Sequence, residues 1–149
     1  MHDPRIDSLA RQLVRYSTKV TKGDRVMIDI YDAPNSIALA LIREVVAAKA
    51  IPVVKIHDAV VTRELMKHAD PEGYDLQCEN SLALMKEMDA YIAVRGSHNI
   101  TEMSDVPADK MKTLDGKYYT YTLDMLMERG LNKISLGVVD KLSNITSFS

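Results

Sequence analysis

The sequence predicts an α/β fold: a mostly parallel open sheet with helices on both faces, in a single three-layer domain. Two observations carry that expectation. Short β-rich apolar runs alternate with longer stretches whose apolar residues recur every three or four positions. No internal repeat or low-complexity linker divides the 149 residues. Alternation of this kind argues for parallel strands, and right-handed crossovers then lay the helices on the sheet's faces.

Asp3-Pro4 opens the first helix, a capping acid followed by proline at the first helical position. Ile6, Leu9, Leu13 and Val20, with Tyr16 among them, form one apolar stripe. Lys22-Gly23-Asp24 turns the chain into a strand carrying Val26, Met27, Ile28 and Ile30, a run that reads as buried. Asp32-Ala33-Pro34-Asn35 has helix-start chemistry. The helix after it extends from Ser36 to Ala50, with Ile37, Leu41, Val45 and Ala48 facing the sheet. Ile51 to Ile56 is the second strand, Pro52 marks its first residues, and His57-Asp58 closes it. A shorter helix holds Leu65 and Met66. Asp70-Pro71 repeats the capping signal, but Gly73 interrupts it, and the firmer helical stretch is Glu79 to Met88. Ala90 to Val94 is the third strand, followed by the loop Arg95-Gly96-Ser97-His98-Asn99.

The last third carries weaker patterns. Val106 to Leu114 reads as a short helix, Lys117 to Thr122 as a strand, and Leu123 to Arg129 as a helix ended by Gly130. Ile134 to Val139 is a further strand. The polar stretch Ser143 to Ser149 is expected to fray.

Composition narrows the class. A chain of this length buries roughly 68–70% of its unfolded surface, so it needs neither disulfides nor metal to fold. The core must be aliphatic, because Phe148 is the single phenylalanine and tryptophan is absent. The nine methionines are expected to fill gaps. Net charge is −2 with both signs interspersed, which gives nucleic acid no basic stripe to bind. Cys78 has no partner for an intrachain disulfide, which fits a reducing, cytoplasmic setting. The N-terminus lacks a signal-peptide pattern, and no apolar run is long enough to span a membrane. Neither nucleic acid nor membrane is expected as a partner.

In an open parallel sheet, ligands bind beyond the carboxyl ends of the strands. Three loops belong at that edge, and they offer Asp32, Asn35, His57, Asp58, Arg95, His98 and Asn99 as candidate ligand-binding residues. A plainer role competes: Asp32 or Asn35, and Asp58, would cap the helices that follow them. His57 and His98 with a nearby acid could bind a metal, but HExxH and CxxC are both missing. The loop after the first strand contains no glycine, and neither a phosphate-cradling GxxxxGK[ST] loop nor a GxSxG elbow occurs. No catalytic residue, metal ligand or cofactor is therefore assigned to the chain itself.

The segment DPRIDSLARQLVRYSTKVTKGDRVMI, Asp3 to Ile28, resembles the opening of the thermophilic-type metallo-aminopeptidases, the group containing aminopeptidases T and S. Leu13-Val14-Arg15-Tyr16-Ser17 and Lys22-Gly23-Asp24-Arg25-Val26 carry the likeness. ALIREVVAAKA, IPVVKI and MDAYIAVRGSHNITEMSDVPADKM look like the elements that follow, so the resemblance runs over residues 3 to 114. One departure is that Ala50 runs directly into Ile51 where the family usually has a glycine between helix and strand. Residues 115–149 are unmatched and read as an extension packed on the same domain.

The resemblance implies a non-catalytic N-terminal scaffold, domain 1–114, that helps wall the peptide cavity of a metal-dependent aminopeptidase. The divalent metal pair belongs to the parent family's other domain, and no ligand to it is carried over here. A catalytic domain or subunit is the implied partner, and a homo-oligomer is the other way to cover an exposed apolar face. Two other readings stand beside this one. One is a small-molecule or anion-binding module using Arg95, His98 and Asn99 with Asp32 and His57 opposite. The other is an adaptor for a separate catalytic subunit.

Overall fold

The computed structural model describes residues 3–68, 70–96, 133–140 and 144–148. Helix α1 spans Pro4–Arg11, with the Asp3 carboxylate accepting from the Arg5 backbone N–H. A π-helical turn, Gln12–Ser17, continues it. Tyr16 was expected on the apolar stripe but is 70% exposed. The wider π turn shifts the helical phase, so Leu13 and Val14 face inward and Tyr16 faces out.

Strand β1 is Arg25–Tyr31, helix α2 Asn35–Ala47 and strand β2 Ile51–His57. Helix α2 stops three residues short of the expected Ala50. Lys49 adopts a left-handed conformation (φ 61°), doing at some steric cost what a glycine would do freely. Helix α3 is Ala59–His68 and α4 is Pro71–Met85. Gly73 does not interrupt α4: Asp70 caps it by accepting from Glu72 N–H, and the helix runs unbroken to Met85. Strand β3 is Ala90–Gly96, β4 Ile134–Asp140 and β5 Asn144–Phe148. The expected fraying of 143–149 is thus corrected, because residues 144–148 form a strand antiparallel to β4. The helices expected at 106–114 and 123–129 and the strand expected at 117–122 lie outside the described residues.

The sheet order is β2-β1-β3-β4-β5, and its first four strands are mutually parallel. One face of β1 and β3 (Val26, Ile28, Ile30, Ala90, Ile92, Val94) packs with α1, the π turn and α2. The other face (Met27, Tyr91, Ala93) packs with Met85 and Met88 at and beyond the end of α4. These methionines fill core space, as expected of them. An interior strand covered on both faces must be apolar throughout, and β1 is buried from Val26 to Ile30.

Strand β2 lies at the end of the described sheet and is only partly buried. Ile51 donates its N–H to Asp24 O, and His57 O accepts from Asp32 N, so the odd residues of β2 point toward β1. Pro52 therefore turns its missing donor outward, where no ladder bond is lost. Thr18 and Ser135 are both buried, and their hydroxyls meet at 2.6 Å, tying the end of the π turn to β4.

Candidate functional site at the carboxyl edge

Chain order and strand order diverge at one place. From β1 the chain crosses to β2 on one side, then returns to β3 on the other. The carboxyl ends of β1 and β3 thus flank the position where α/β sheets bind ligands. The last parallel register row there is His57–Tyr31–Arg95. In-register neighbours share a face, so three planar side chains stand side by side. Tyr31 and His57 stack with centroids 4.3 Å apart and planes 9° apart. The Arg95 guanidinium carbon lies 4.2 Å from the Tyr31 ring centroid, a cation–π contact.

One pleat below sits Asp29, with 0% exposure. Its Oδ2 accepts from the Tyr91 hydroxyl at 2.8 Å. Its Oδ1 is 2.9 Å from Nε2 of His57. A buried carboxylate is stabilised only where charged or hydrogen-bonding groups surround it, and these two supply that from both neighbouring strands. Beside it Lys55 Nζ donates to Ser81 Oγ on α4 at 3.0 Å.

The remaining expected site residues divide by role. Asp58 caps α3, its Oδ1 accepting from Val60 N at 2.8 Å and Val61 N at 3.4 Å. Asp32 reaches past α2, the helix that follows it. Its Oδ1 accepts from Ala59 N at 3.0 Å, so it caps α3 across the loop. Its backbone is left-handed (φ 55°), and its N–H donates to His57 O. Asn35 begins α2 behind Pro34 as N-cap, with no side-chain capping bond there. His98 and Asn99 lie outside the described residues. At Gly96 an added Cβ would collide with the Asp32 carbonyl oxygen, so glycine lets the ends of β1 and β3 close together.

Asp29, Tyr31 and Tyr91 were missed in the sequence. The available signal was an acid at an inward position of an otherwise apolar strand.

Comparison with known proteins places the chain. A family model described as thermophilic metalloprotease (M29) matches residues 2–136, so the likeness continues past residue 114. No sequence among the curated proteins searched matches the chain. Among solved structures, wild-type AmpT from Thermus thermophilus superposes with a TM-score of 0.68 at 20% identity. The match covers 92% of this chain and 36% of AmpT, and at that identity it speaks for the fold alone.

Proposed function

The chain belongs to the thermophilic metalloprotease (M29) family, and from that premise we propose that it is a non-catalytic scaffold domain of an aminopeptidase-type enzyme. In this reading it packs against a metal-bearing part and helps wall a peptide cavity. The observation that carries the proposal is the coverage: 92% of this chain corresponds to only 36% of AmpT.

Two-metal hydrolysis needs several ligands converging on ions a few ångströms apart. Among the described residues, no group of three or more His, Cys, Asp or Glu is placed to hold an ion. The acids at the carboxyl edge hold other partners: Asp29 pairs with His57 and Tyr91, and Asp32 and Asp58 cap α3. The described residues therefore do not fit a metal pair, and no reaction step is assigned to them. Equilibrium dialysis against cobalt or zinc checks this. The expected result is no stoichiometric pair of tightly held ions; two per chain, removed only by a strong chelator, would contradict the proposal.

Exposed apolar side chains support a packing partner. Leu39 and Val46 on α2, Ile51 and Ile56 on β2, and Val60 and Val61 on α3 are each 45–59% exposed, all on elements at or next to the β2 end of the sheet. In the proposal a catalytic domain or subunit covers them. Among the described residues no helix is long and apolar enough to cross a membrane. We place the chain in the cytoplasm, in keeping with its single cysteine.

The polar row at the carboxyl edge favours one further reading, a small-molecule-binding module. Its contacts would come from His57, Tyr31 and Arg95, with Asp32, Asn35 and Asp58 at the same edge; His98 and Asn99, also expected there, lie outside the described residues.

A further inference from the structure

Strand β2 carries an open ladder on its outer side. Its odd residues bond to β1, so the backbone N–H and C=O groups of its even residues point away from the sheet. Among the described residues nothing pairs with them. Edge strands are usually blunted by charge, proline or a bulge. Here Pro52 removes one donor, but Val54 and Ile56 keep theirs, and Lys55 turns to the other face, where it meets Ser81. The even side chains lie on the α2 face of the sheet, and Ile56 is 58% exposed. Helix α2 sits over β1 and β2, with α1 and the π turn toward β4 and β5. Arg43 and Glu44 of α2 face that side and meet Asp7, Arg11 and Arg15. The opposite flank of α2 is Leu39, Ile42 and Val46, which recur at three- and four-residue spacing. Leu39 and Val46 are more than half exposed and Ile42 is half-buried, so an uncharged flank borders the open edge.

We propose that this edge binds a second copy of the chain, with the two β2 strands paired antiparallel about a two-fold axis at Val54 to give one continuous sheet. That axis sets Val54 opposite itself and Pro52 opposite Ile56 of the second copy. Opposed outward residues exchange both backbone bonds. The two Val54 residues make two, and each Ile56 N–H reaches the carbonyl of the other copy's Pro52. The donor that proline lacks is missed only toward the rim. Moving the axis one residue toward His57 would set Lys55 opposite Lys55, and like charges directly across a ladder destabilise it. Moving it one residue the other way sets Val54 opposite Pro52 and halves the bonds these residues make. At Val54, Lys55 faces Val53 instead. The same axis leaves both α2 helices on one face, antiparallel to each other. With strands about 4.8 Å apart, a helix seated over β1 and β2 lies about 5 Å from the seam, so the two helices stand roughly 10 Å apart. Packed helices stand about 8–10 Å apart. Helix α2 starts past the carboxyl end of β1 and stops before the amino end of β2, so its middle is level with Val54. Leu39 of each copy then lies toward Val46 of the other. This interface covers Leu39, Val46 and Ile56 and leaves Val60 and Val61 to the metal-bearing part; it does not depend on the scaffold reading.

Sedimentation equilibrium and amide hydrogen exchange on the full chain test this together. An interface of this small size belongs to the weak class, so the chain should be largely dimeric at about 100 μM. Raising the concentration should slow exchange at Val54 and Ile56, whereas Val53 and Lys55, bonded to β1, should be protected throughout. Val54→Pro removes a donor that β1 does not use, and Val53 is already extended, so the fold should stand. Its dimer should be weaker by about tenfold or more, since two bonds at the axis are lost. Leu39→Lys, at an exposed site, should weaken it as strongly by placing cations in an apolar seam. Val61→Lys, on α3, should leave association unchanged. A chain that stays monomeric at this concentration would overturn the inference. So would a dimer that survives both Val54→Pro and Leu39→Lys, a dimer lost only in Val61→Lys, or exchange at Val54 and Ile56 that ignores concentration. Should Val54→Pro fail to fold, Leu39→Lys and the exchange pattern decide. Failure here would leave the scaffold reading intact, and peptide hydrolysis by the chain would break that reading without moving the dimer.

Discussion

Tyr91→Phe probes the buried carboxylate with a single atom. The Tyr91 ring is 4% exposed and packs with Met27, Met85 and Met88, and phenylalanine keeps that packing. Only the hydroxyl that donates to Asp29 Oδ2 at 2.8 Å is lost. Asp29 has 0% exposure, so water cannot replace the donor without opening the sheet face. A hydrogen bond to a charged group contributes about 1.5–3 kcal/mol, so the variant should be destabilised by about 2 kcal/mol. Urea unfolding reads this directly. With a slope of ~2 kcal/mol/M the midpoint should fall by roughly 1 M at unchanged slope, and the melting temperature by about 4–8 °C. A loss below ~0.5 kcal/mol, the range of ordinary surface substitutions, would refute the idea that Asp29 depends on this donor.

The Thr18–Ser135 pair should show the asymmetry of buried hydrogen bonds. Ser135→Ala strands the Thr18 hydroxyl at about 1–3 kcal/mol, and adding Thr18→Val should recover much of it; simple additivity in the double-mutant cycle would contradict the pairing. Gly96→Ala should cost about 1–3 kcal/mol in a thermal melt, because Asp32, whose carbonyl oxygen it strikes, is anchored by its N–H donating to His57 O and its Oδ1 accepting from Ala59 N; a neutral result would contradict the close approach. Asp24 gives a pH dependence. Burial opposes its ionisation, but the Lys133 ammonium at 2.6 Å and the Thr21 N–H and hydroxyl outweigh that and hold its carboxyl below the ordinary 3.8. A depressed folded value means that its stabilisation is full above the unfolded value and is lost as pH falls through the folded one. Lys133→Met should therefore raise the pH at which the chain unfolds in acid, and an unchanged acid limb would count against the pair.

The strands were readable because aliphatic residues dominate them: Val26–Ile30 and Ala90–Val94 are buried on both faces and carry a signal at every position. Strand β5 was not, because Asn144, Thr146 and Ser147 look like a loop until β4 supplies an antiparallel ladder. The left-handed turn after α2 was hidden because Lys49, not glycine, adopts it. At the site, local chemistry was legible and long-range pairing was not. Asp58 announces itself as a cap two residues ahead of its partner. Asp29 finds its partners 28 and 62 residues away, so no spacing rule joins it to His57 or Tyr91. Asp32 reaches 27 residues forward to α3, past the helix that its sequence position suggests.

In the function proposed above, this chain shapes a peptidase without performing its chemistry. The most direct test is release of amino acids from a free-amine tripeptide by the purified chain, with cobalt or zinc supplied and then chelated. The expected result is turnover at the background rate in every condition. Metal-dependent turnover that the chelator abolishes would contradict it.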